Sequence, residues 1–137
     1  MVERFSATLD AGLLQLFDRF MDRHGYENRS EAVRDLIRKA LVDDEWQGGK
    51  APVMGVITLV YDHHQRNLLN RMTQIQHDSQ ASIISTTHVH MDHHNCLEII
   101  IVKGTPSKIR NLADQLITLK GVKNGHLSAA STGKGLT

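Results

Sequence analysis

The order of periodic segments in the second half of the chain limits the folds that it can adopt. From Val53 onward, segments with strand and helix character alternate as strand, helix, strand, strand, helix, strand. The strands are predicted at residues 53–61, 82–91, 96–103 and 122–129, and the helices at residues 62–76 and between Pro106 and Gly121. This order predicts a ferredoxin-like (ACT-like) βαββαβ domain. Because such folds host many functions, the fold alone does not identify the function.

A smaller unit precedes this domain. Residues 4–9 alternate between polar and apolar side chains, which predicts a short strand. Asp10 is suited to cap a helix that ends near Gly25, and Asn28 is suited to cap a second amphipathic helix. Residues 43–52 combine charge, glycine and proline, which predicts a linker. The chain is therefore expected to be α+β, with a β-α-α domain at 1–44, a linker at 45–52, a βαββαβ domain at 53–130 and a loose tail at 131–137.

The predicted first strand needs a partner, because a lone strand leaves its backbone edge unpaired. Its best partner is the same strand of a second copy, which gives an antiparallel ribbon over four helices. The first half resembles the ribbon-helix-helix repressors, in which the exposed ribbon face enters the major groove. The resemblance puts Arg4, Ser6 and Thr8 on base edges, and the amide groups near Asn28, Arg29 and Ser30 on phosphate. The alternative for the first three residues is an ordinary solvated strand face.

Composition narrows the setting of the protein. The 137 residues contain one cysteine, so no intrachain disulfide is possible, which favours a reducing compartment. The first residues lack a secretory signal, and no apolar run approaches the roughly 20 residues of a membrane span. We therefore expect a soluble cytoplasmic protein. Two small domains without disulfides are expected to associate. The net charge of +1 neither requires nor excludes nucleic acid, but residues 1–41 hold seven basic and seven acidic side chains, so any DNA contact is expected to be focal.

The segment 87–96 places the only cysteine within eight residues of four histidines. Residues two apart in a strand point to the same face, so His88 and His90 can aim both imidazoles at one ion. A short polar turn would then bring Cys96 close to them. The pattern predicts a site of two imidazoles and one thiolate for a transition metal.

The same letters fit two other interpretations. His88, His90, Asp92 and His93 match the H-x-H-x-D-H signature of metallo-β-lactamase-like hydrolases, in which a metal activates water. Such enzymes need further histidine and acidic ligands far downstream, and the only histidine after Cys96 is His126, so this interpretation is disfavoured. The remaining alternative is a solvated histidine-rich turn beside a structural cysteine.

The two halves and the H-x-H-x5-C motif together resemble the nickel-responsive repressor family, from about Arg4 to Leu127. The resemblance implies a homotetramer, built as a dimer of dimers, with one Ni²⁺ per subunit. It implies planar coordination by His88, His90 and Cys96 of one subunit and by His77 of an adjacent one. Without the resemblance, His77 would be read as a histidine at a helix end.

Further residues receive roles around this site. Tyr61 and Glu98 are predicted to orient the ligands, the alternative being half-buried strand residues. Glu31 and Asp35 can hold a second cation or form a solvated acidic face. Four other histidines are expected at the surface, outside the main site, or as weak auxiliary metal contacts: His63, His64, His93 and His94.

These observations favour a metal sensor over an enzyme, because four protein ligands leave no position for a substrate. The expected function is a nickel-dependent DNA-binding regulator, with Ni²⁺ as corepressor of nickel-uptake genes at a palindromic operator. Ligand types alone leave Zn²⁺ and Cu²⁺ open. The alternative function that does not involve catalysis is that of a metal-buffering or storage protein.

Overall fold

The computed structural model describes all 137 residues, Met1–Thr137. The elements are α1 (Ala11–His24), α2 (Arg29–Gly48), β1 (Val53–Asp62), α3 (Leu68–Asp78), β2 (Ser82–His90), β3 (Asn95–Gly104), α4 (Pro106–Ile117) and β4 (Val122–Ala130). The chain divides into two compact units, Met1–Ala40 and Leu41–Thr137. The predicted α+β class and the βαββαβ order of the second half are confirmed.

The four strands form one antiparallel sheet in the order β2-β3-β1-β4. Buried and half-buried residues alternate along β1, because one face of the sheet packs against helices. Leu68 and Met72 of α3 and Ile109 and Leu116 of α4 complete this core with the strand residues. β2 is an edge strand and is exposed over almost its whole length. His88 and His90, which belong to β2, therefore lie at an open edge of the sheet.

Residues 4–9 form no strand in the single chain, and the predicted strand, which pairs with a second copy, stays a prediction. The physical reason is that a strand exists only when its amide and carbonyl groups pair with a neighbour, and this segment has none within its own chain. The helices of this unit begin as predicted. Asp10 Oδ1 accepts from the Gly12 amide at 2.8 Å, and Asn28 Oδ1 accepts from the Glu31 amide at 2.9 Å. Gly25 ends α1 with a φ of 75°.

Helix α2 continues to Gly48, so the predicted linker at residues 45–52 is helical over its first four residues. Trp46 explains the extension. Its side chain is buried in the core of the Leu41–Thr137 unit, and its Nε1 donates to the Ala130 carbonyl at 2.8 Å. The Arg110 guanidinium lies 5.5 Å from its ring centroid. Burial of this one large side chain outweighs the weak helical pattern around it.

Helix α3 begins at Leu68, six residues later than predicted. The chain turns first, because Asp62 Oδ1 accepts from the His64 amide at 2.9 Å and Asn67 adopts a left-handed conformation with a φ of 63°. Residues 63–67 therefore form a turn region at the end of β1. None of the four helices combines the length and apolar character that a membrane crossing requires.

Candidate metal centre

The β2–β3 hairpin brings together two of the predicted metal ligands. His90 lies directly opposite Cys96 in the strand register, and His90 Nδ1 is 3.6 Å from Cys96 Sγ. The hairpin turn is held by Asp92, whose Oδ1 accepts from the amides of His94 and Asn95, each at 2.8 Å. Hydrogen bonds from the Asn95 side chain and these amides lower the pKa of Asp92 to about 2. The turn that positions Cys96 is therefore well defined.

His88 faces a polar relay on the same side of the sheet. Its Nδ1 is 3.1 Å from the Tyr61 hydroxyl, which donates to Glu98 Oε2 at 2.9 Å. With the hydroxyl proton directed at Glu98, His88 Nδ1–H donates to the Tyr61 oxygen, and Nε2 keeps its lone pair. Burial and the Glu98 carboxylate raise the pKa of Tyr61 well above its usual value, so the hydroxyl stays protonated. The relay can fix the His88 ring while leaving Nε2 for a metal.

His63 joins His90 and Cys96, although the sequence interpretation placed it at the surface outside the main site. Its Nδ1 is 3.4 Å from Cys96 Sγ, and the donor atoms of the three residues lie within 4.8 Å of one another. The side chain is half-buried. The missed signal is the pairing of β1 with β3: Tyr61 lies opposite Cys96, so the residues just after β1 lie beside the start of β3.

The electrostatics of this cluster favour uncharged donors before a metal binds. Burial raises the pKa of the Cys96 thiol, and the negative charges of Glu98, Asp92 and Asp62 raise it further. Burial also lowers the pKa of His63, as do the neighbouring His64 and His90. An incoming cation therefore meets a neutral imidazole and must displace the thiol proton.

The donor chemistry fits a borderline transition ion such as Ni²⁺, Zn²⁺ or Cu²⁺, because imidazole nitrogen and thiolate sulfur are the ligands that these ions take. His90 and Cys96 would hold such an ion, with His88 or His63 as the third donor. His77 is not among the donors gathered in one chain: it lies exposed in the last turn of α3. His77 therefore contributes no donor to the cluster of His63, His90 and Cys96 within the single chain.

The residues predicted to contact DNA lie in the Met1–Ala40 unit and are all exposed: Arg4, Ser6, Thr8, Asn28, Arg29 and Ser30. The Arg29 guanidinium contacts Asp18 twice, from Nε to Oδ1 at 3.1 Å and from Nη2 to Oδ2 at 3.0 Å. This pair connects α1 to the start of α2. In the first turn of α2 the Glu31 amide is already taken by the Asn28 cap at 2.9 Å.

Glu31 and Asp35, predicted as a possible second cation site, have separate partners. Glu31 pairs with Arg34, one turn further along α2. Asp35 accepts from the Tyr26 hydroxyl and pairs with Lys39 at 3.1 Å. The Tyr26 and Lys39 contacts lower the pKa of Asp35. In the single chain the two carboxylates therefore act in side-chain pairs within the unit.

Comparison with known proteins identifies the family. The model of the NikR C terminal nickel binding domain matches residues 54–130. A nickel-responsive regulator of Desulfotalea psychrophila is 54% identical over 136 residues, covering 99% of both chains. Relatives of the same name are 51% identical in Nitratidesulfovibrio vulgaris strain DP4 and 49% identical in Geobacter metallireducens, covering 98% and 97% of this chain and 96% of each relative.

A solved structure supports the fold alone. The uncharacterized protein TM1266 from Thermotoga maritima superposes with a TM-score of 0.51 at 14% identity, covering 58% of this chain and 98% of that one.

The sequence similarity to the nickel-responsive regulators extends over nearly the full length of the chain, so both units share the match. The relatives are regulators and not enzymes, and this chain belongs to their family of nickel-responsive transcriptional regulators, with a nickel-binding domain at residues 54–130.

Proposed function

We propose that this protein is a nickel-dependent DNA-binding repressor in which Ni²⁺ acts as corepressor of nickel-uptake genes. The observation that carries the proposal is the arrangement on the β2–β3 hairpin. His90 faces Cys96 at 3.6 Å, and His88 is held by Tyr61 with one nitrogen left for a metal. An ion bound there would order the hairpin and its neighbours, which is what a sensor requires.

The proposed coordination sphere is shared between subunits. His88, His90 and Cys96 of one subunit would supply three ligands, and His77 of a second subunit would supply the fourth, giving one ion per subunit. The exposed position of His77 at the end of α3 supports this assignment, because the side chain is accessible to another chain. The resulting assembly would be a homotetramer, a dimer of dimers.

Coordination geometry would decide between metals. A planar arrangement of three nitrogens and one sulfur suits Ni²⁺ and Cu²⁺, whereas Zn²⁺ prefers a tetrahedron. The cluster of His63, His90 and Cys96 favours a second candidate function, a sensor of Zn²⁺ or another tetrahedral ion. In that case His63 would replace His88 as the third ligand, and no second subunit would be needed for it.

The Met1–Ala40 unit would form the DNA-binding head by pairing with a second copy. Large apolar side chains of this unit are unusually exposed: Phe5 is 71% exposed, Leu13 54%, Leu16 58% and Ile37 48%. Exposed apolar side chains in this number on one small unit indicate that a partner covers them. Pairing of residues 4–9 between two copies would give the segment the strand partner that it lacks.

Arg4, Ser6 and Thr8 would then read bases in the major groove, since a guanidinium suits guanine and hydroxyls can donate or accept. The amide groups near Asn28, Arg29 and Ser30 would bind phosphate at the positive end of α2. Acidic and basic residues are nearly balanced in the chain, so phosphate contacts would be few and each head would bind weakly. Two heads on a palindromic operator would compensate by multivalency.

Linkage connects the two sites. Nickel can favour the DNA-competent arrangement only by binding it more tightly, so operator and nickel must strengthen each other by the same factor. The cytoplasm is the expected compartment, because it holds the DNA and keeps a lone cysteine reduced.

Fluorescence anisotropy tests the proposal with the full chain and labelled promoter fragments of nickel-uptake genes. Ni²⁺ should tighten binding more than Zn²⁺ does, and Cys96→Ala should abolish the nickel effect. His126→Ala removes an exposed imidazole from β4 and should behave as wild type. Tight nickel-triggered binding by Cys96→Ala would exclude the proposed site. A buffering protein would take up several ions and ignore the DNA.

A further inference from the structure

Strand β4 contains one residue more than its pairing with the end of β1 requires. Val60 lies opposite Asn124, whereas Tyr61 lies opposite Val122, so Lys123 has no partner in the register. An extra residue of this kind is a β-bulge, which bends the strand and changes the direction of a side chain. The bulge therefore frees the Lys123 side chain from the regular alternation of β4.

The Lys123 side chain reaches the β2–β3 hairpin. Its Nζ donates to Asn95 Oδ1 at 2.6 Å. Asn95 is the first residue of β3, and β1 lies between β3 and β4 in the sheet. Two strands that flank a third are about 10 Å apart, so the lysine side chain must extend over the end of β1 to make this contact. The contact therefore links two strands that do not pair with each other.

Asn95 connects this contact to the hairpin turn. Its Nδ2 donates to Asp92 Oδ1 at 3.1 Å and to Asp92 Oδ2 at 3.0 Å. Its carbonyl oxygen accepts from the Met91 amide at 3.1 Å and from the Asp92 amide at 3.3 Å. Among the side-chain hydrogen bonds of Asn95, the Lys123 contact is the one that comes from outside the hairpin. Lys123 therefore helps to fix the side-chain amide that closes the turn.

The restrained turn carries two metal donors. Asn95 directly precedes Cys96, and the turn places His90 Nδ1 3.6 Å from Cys96 Sγ. A single hydrogen bond at an exposed surface contributes little to the free energy of unfolding. This bond, however, acts on a turn whose shape sets the distance between two donors, and metal affinity is sensitive to such positioning.

We propose that Lys123 is a positioning residue of the metal centre, which acts through Asn95 to keep His90 and Cys96 at the spacing that a bound ion requires. The inference rests on the proposed function, because it concerns the thiolate centre. It goes beyond that function because Lys123 is not a ligand and contacts the centre only through Asn95. Loss of its ammonium group should weaken nickel binding while the ligands and the fold stay intact.

The nickel affinity of the full chain tests this role, with NiCl₂ as the probe and a chelator as competitor. The thiolate-to-nickel charge-transfer absorption reports the ions bound to Cys96. Lys123→Met removes the ammonium group and keeps an unbranched side chain. It should weaken nickel affinity about tenfold, the lower end of the effect of residues that support metal ligands.

Two variants are the controls for charge and for the hydrogen bond. Lys120→Met removes the same charge from a nearby exposed position and should bind nickel as wild type does. Lys123→Arg should recover most of the affinity, because a guanidinium can donate to the same oxygen. Thermal unfolding of the metal-free variants should give equal midpoints for Lys123→Met and Lys120→Met, because the effect concerns the metal donors and not the fold.

A double-mutant cycle tests the route through Asn95. Once Asn95→Ala is present, Lys123→Met should cost no further nickel affinity, because the contact no longer exists. An undiminished effect of Lys123→Met in that background would overturn the proposal. Wild-type charge-transfer absorption with equal nickel affinity in Lys123→Met and Lys120→Met would also overturn it, and would leave the thiolate centre standing. A wild type without this absorption would overturn the thiolate centre and the role of Lys123 together.

Discussion

His90 and Cys96 lie directly opposite each other across the β2–β3 pair, with His90 Nδ1 3.6 Å from Cys96 Sγ. Five residues separate them in the sequence, and the Asp92 turn folds those residues into a tight hairpin. The thiol is fully buried while β2 is an exposed edge strand. The buried sulfur therefore lies beside an exposed imidazole on the open edge of the sheet.

Metal affinity should rise with pH because Cys96 must lose its proton. Burial and nearby carboxylates raise the pKa of this thiol above its usual 9.0, so it is protonated at neutral pH. One proton is then released per bound ion, and apparent affinity should increase about tenfold per pH unit from about pH 7 up to the thiol pKa. Competition with a chelator across this range measures the slope. A flat profile would mean that Cys96 is not a ligand.

Tyr61→Phe should weaken nickel binding without changing the ligands. The variant removes the hydroxyl that lies 3.1 Å from His88 Nδ1 and donates to Glu98 at 2.9 Å. Loss of such an orienting contact typically lowers metal affinity about 10–100-fold. Glu98 also loses a partner, which should cost about 1–3 kcal/mol of unfolding free energy. Chelator competition and thermal unfolding measure the two effects, and unchanged nickel affinity would show that the relay does not orient His88.

The strands and α4 could be predicted because their periods are set by burial within one chain. The residues that sequence reasoning misassigned depend on contacts distant in the chain. Helix α2 extends past residue 43 because Trp46 reaches the core and the Ala130 carbonyl, 84 residues away. The local composition around Trp46 is rich in charged residues and glycine, and it does not predict that contact.

In the candidate site, too, local patterns predict some features and contacts distant in the chain determine the others. The alternation of His88 and His90 predicts a shared face from sequence alone, since strand geometry fixes it. The proximity of His63 to Cys96 follows from the antiparallel register of β1 and β3, which no local pattern encodes. Residues 4–9 differ again: their alternation predicts a strand whose partner is absent from the single chain.

Trp46→Ala should destabilise the Leu41–Thr137 unit. The indole is 4% exposed, and its removal leaves a cavity and an unpaired Ala130 carbonyl. Truncation of a buried tryptophan costs about 3–5 kcal/mol of unfolding free energy. Chemical denaturation followed by circular dichroism measures the loss. Trp46→Phe keeps most of the volume and should cost clearly less, and a loss below about 1 kcal/mol for Trp46→Ala would contradict the anchoring role.

Arg4→Ala should weaken operator binding and relax its sequence preference. A guanidinium that reads a base contributes about 1–3 kcal/mol of discrimination. Nickel binding should not change, because Arg4 belongs to the Met1–Ala40 unit and the metal donors belong to the other. Arg19→Ala removes the same charge from the exposed surface of α1 and serves as the control. Equal losses in both variants would indicate a general charge effect in place of base reading.

Mixing two inactive variants should restore nickel sites if the ligands come from two subunits. His77→Ala and Cys96→Ala should each lose planar nickel binding alone. In a mixed dimer, the intact Cys96 of one chain meets the intact His77 of the other, so one of the two reciprocal sites is complete. Random mixing should therefore restore about a quarter of the wild-type sites, measured by the charge-transfer absorption of bound nickel. Each variant refolded by itself is the control. Mixing could also restore no nickel sites although both variants fold and associate. In that case the four ligands are not divided between two subunits as proposed. The cluster of His63, His90 and Cys96 within one chain would then explain the metal centre better.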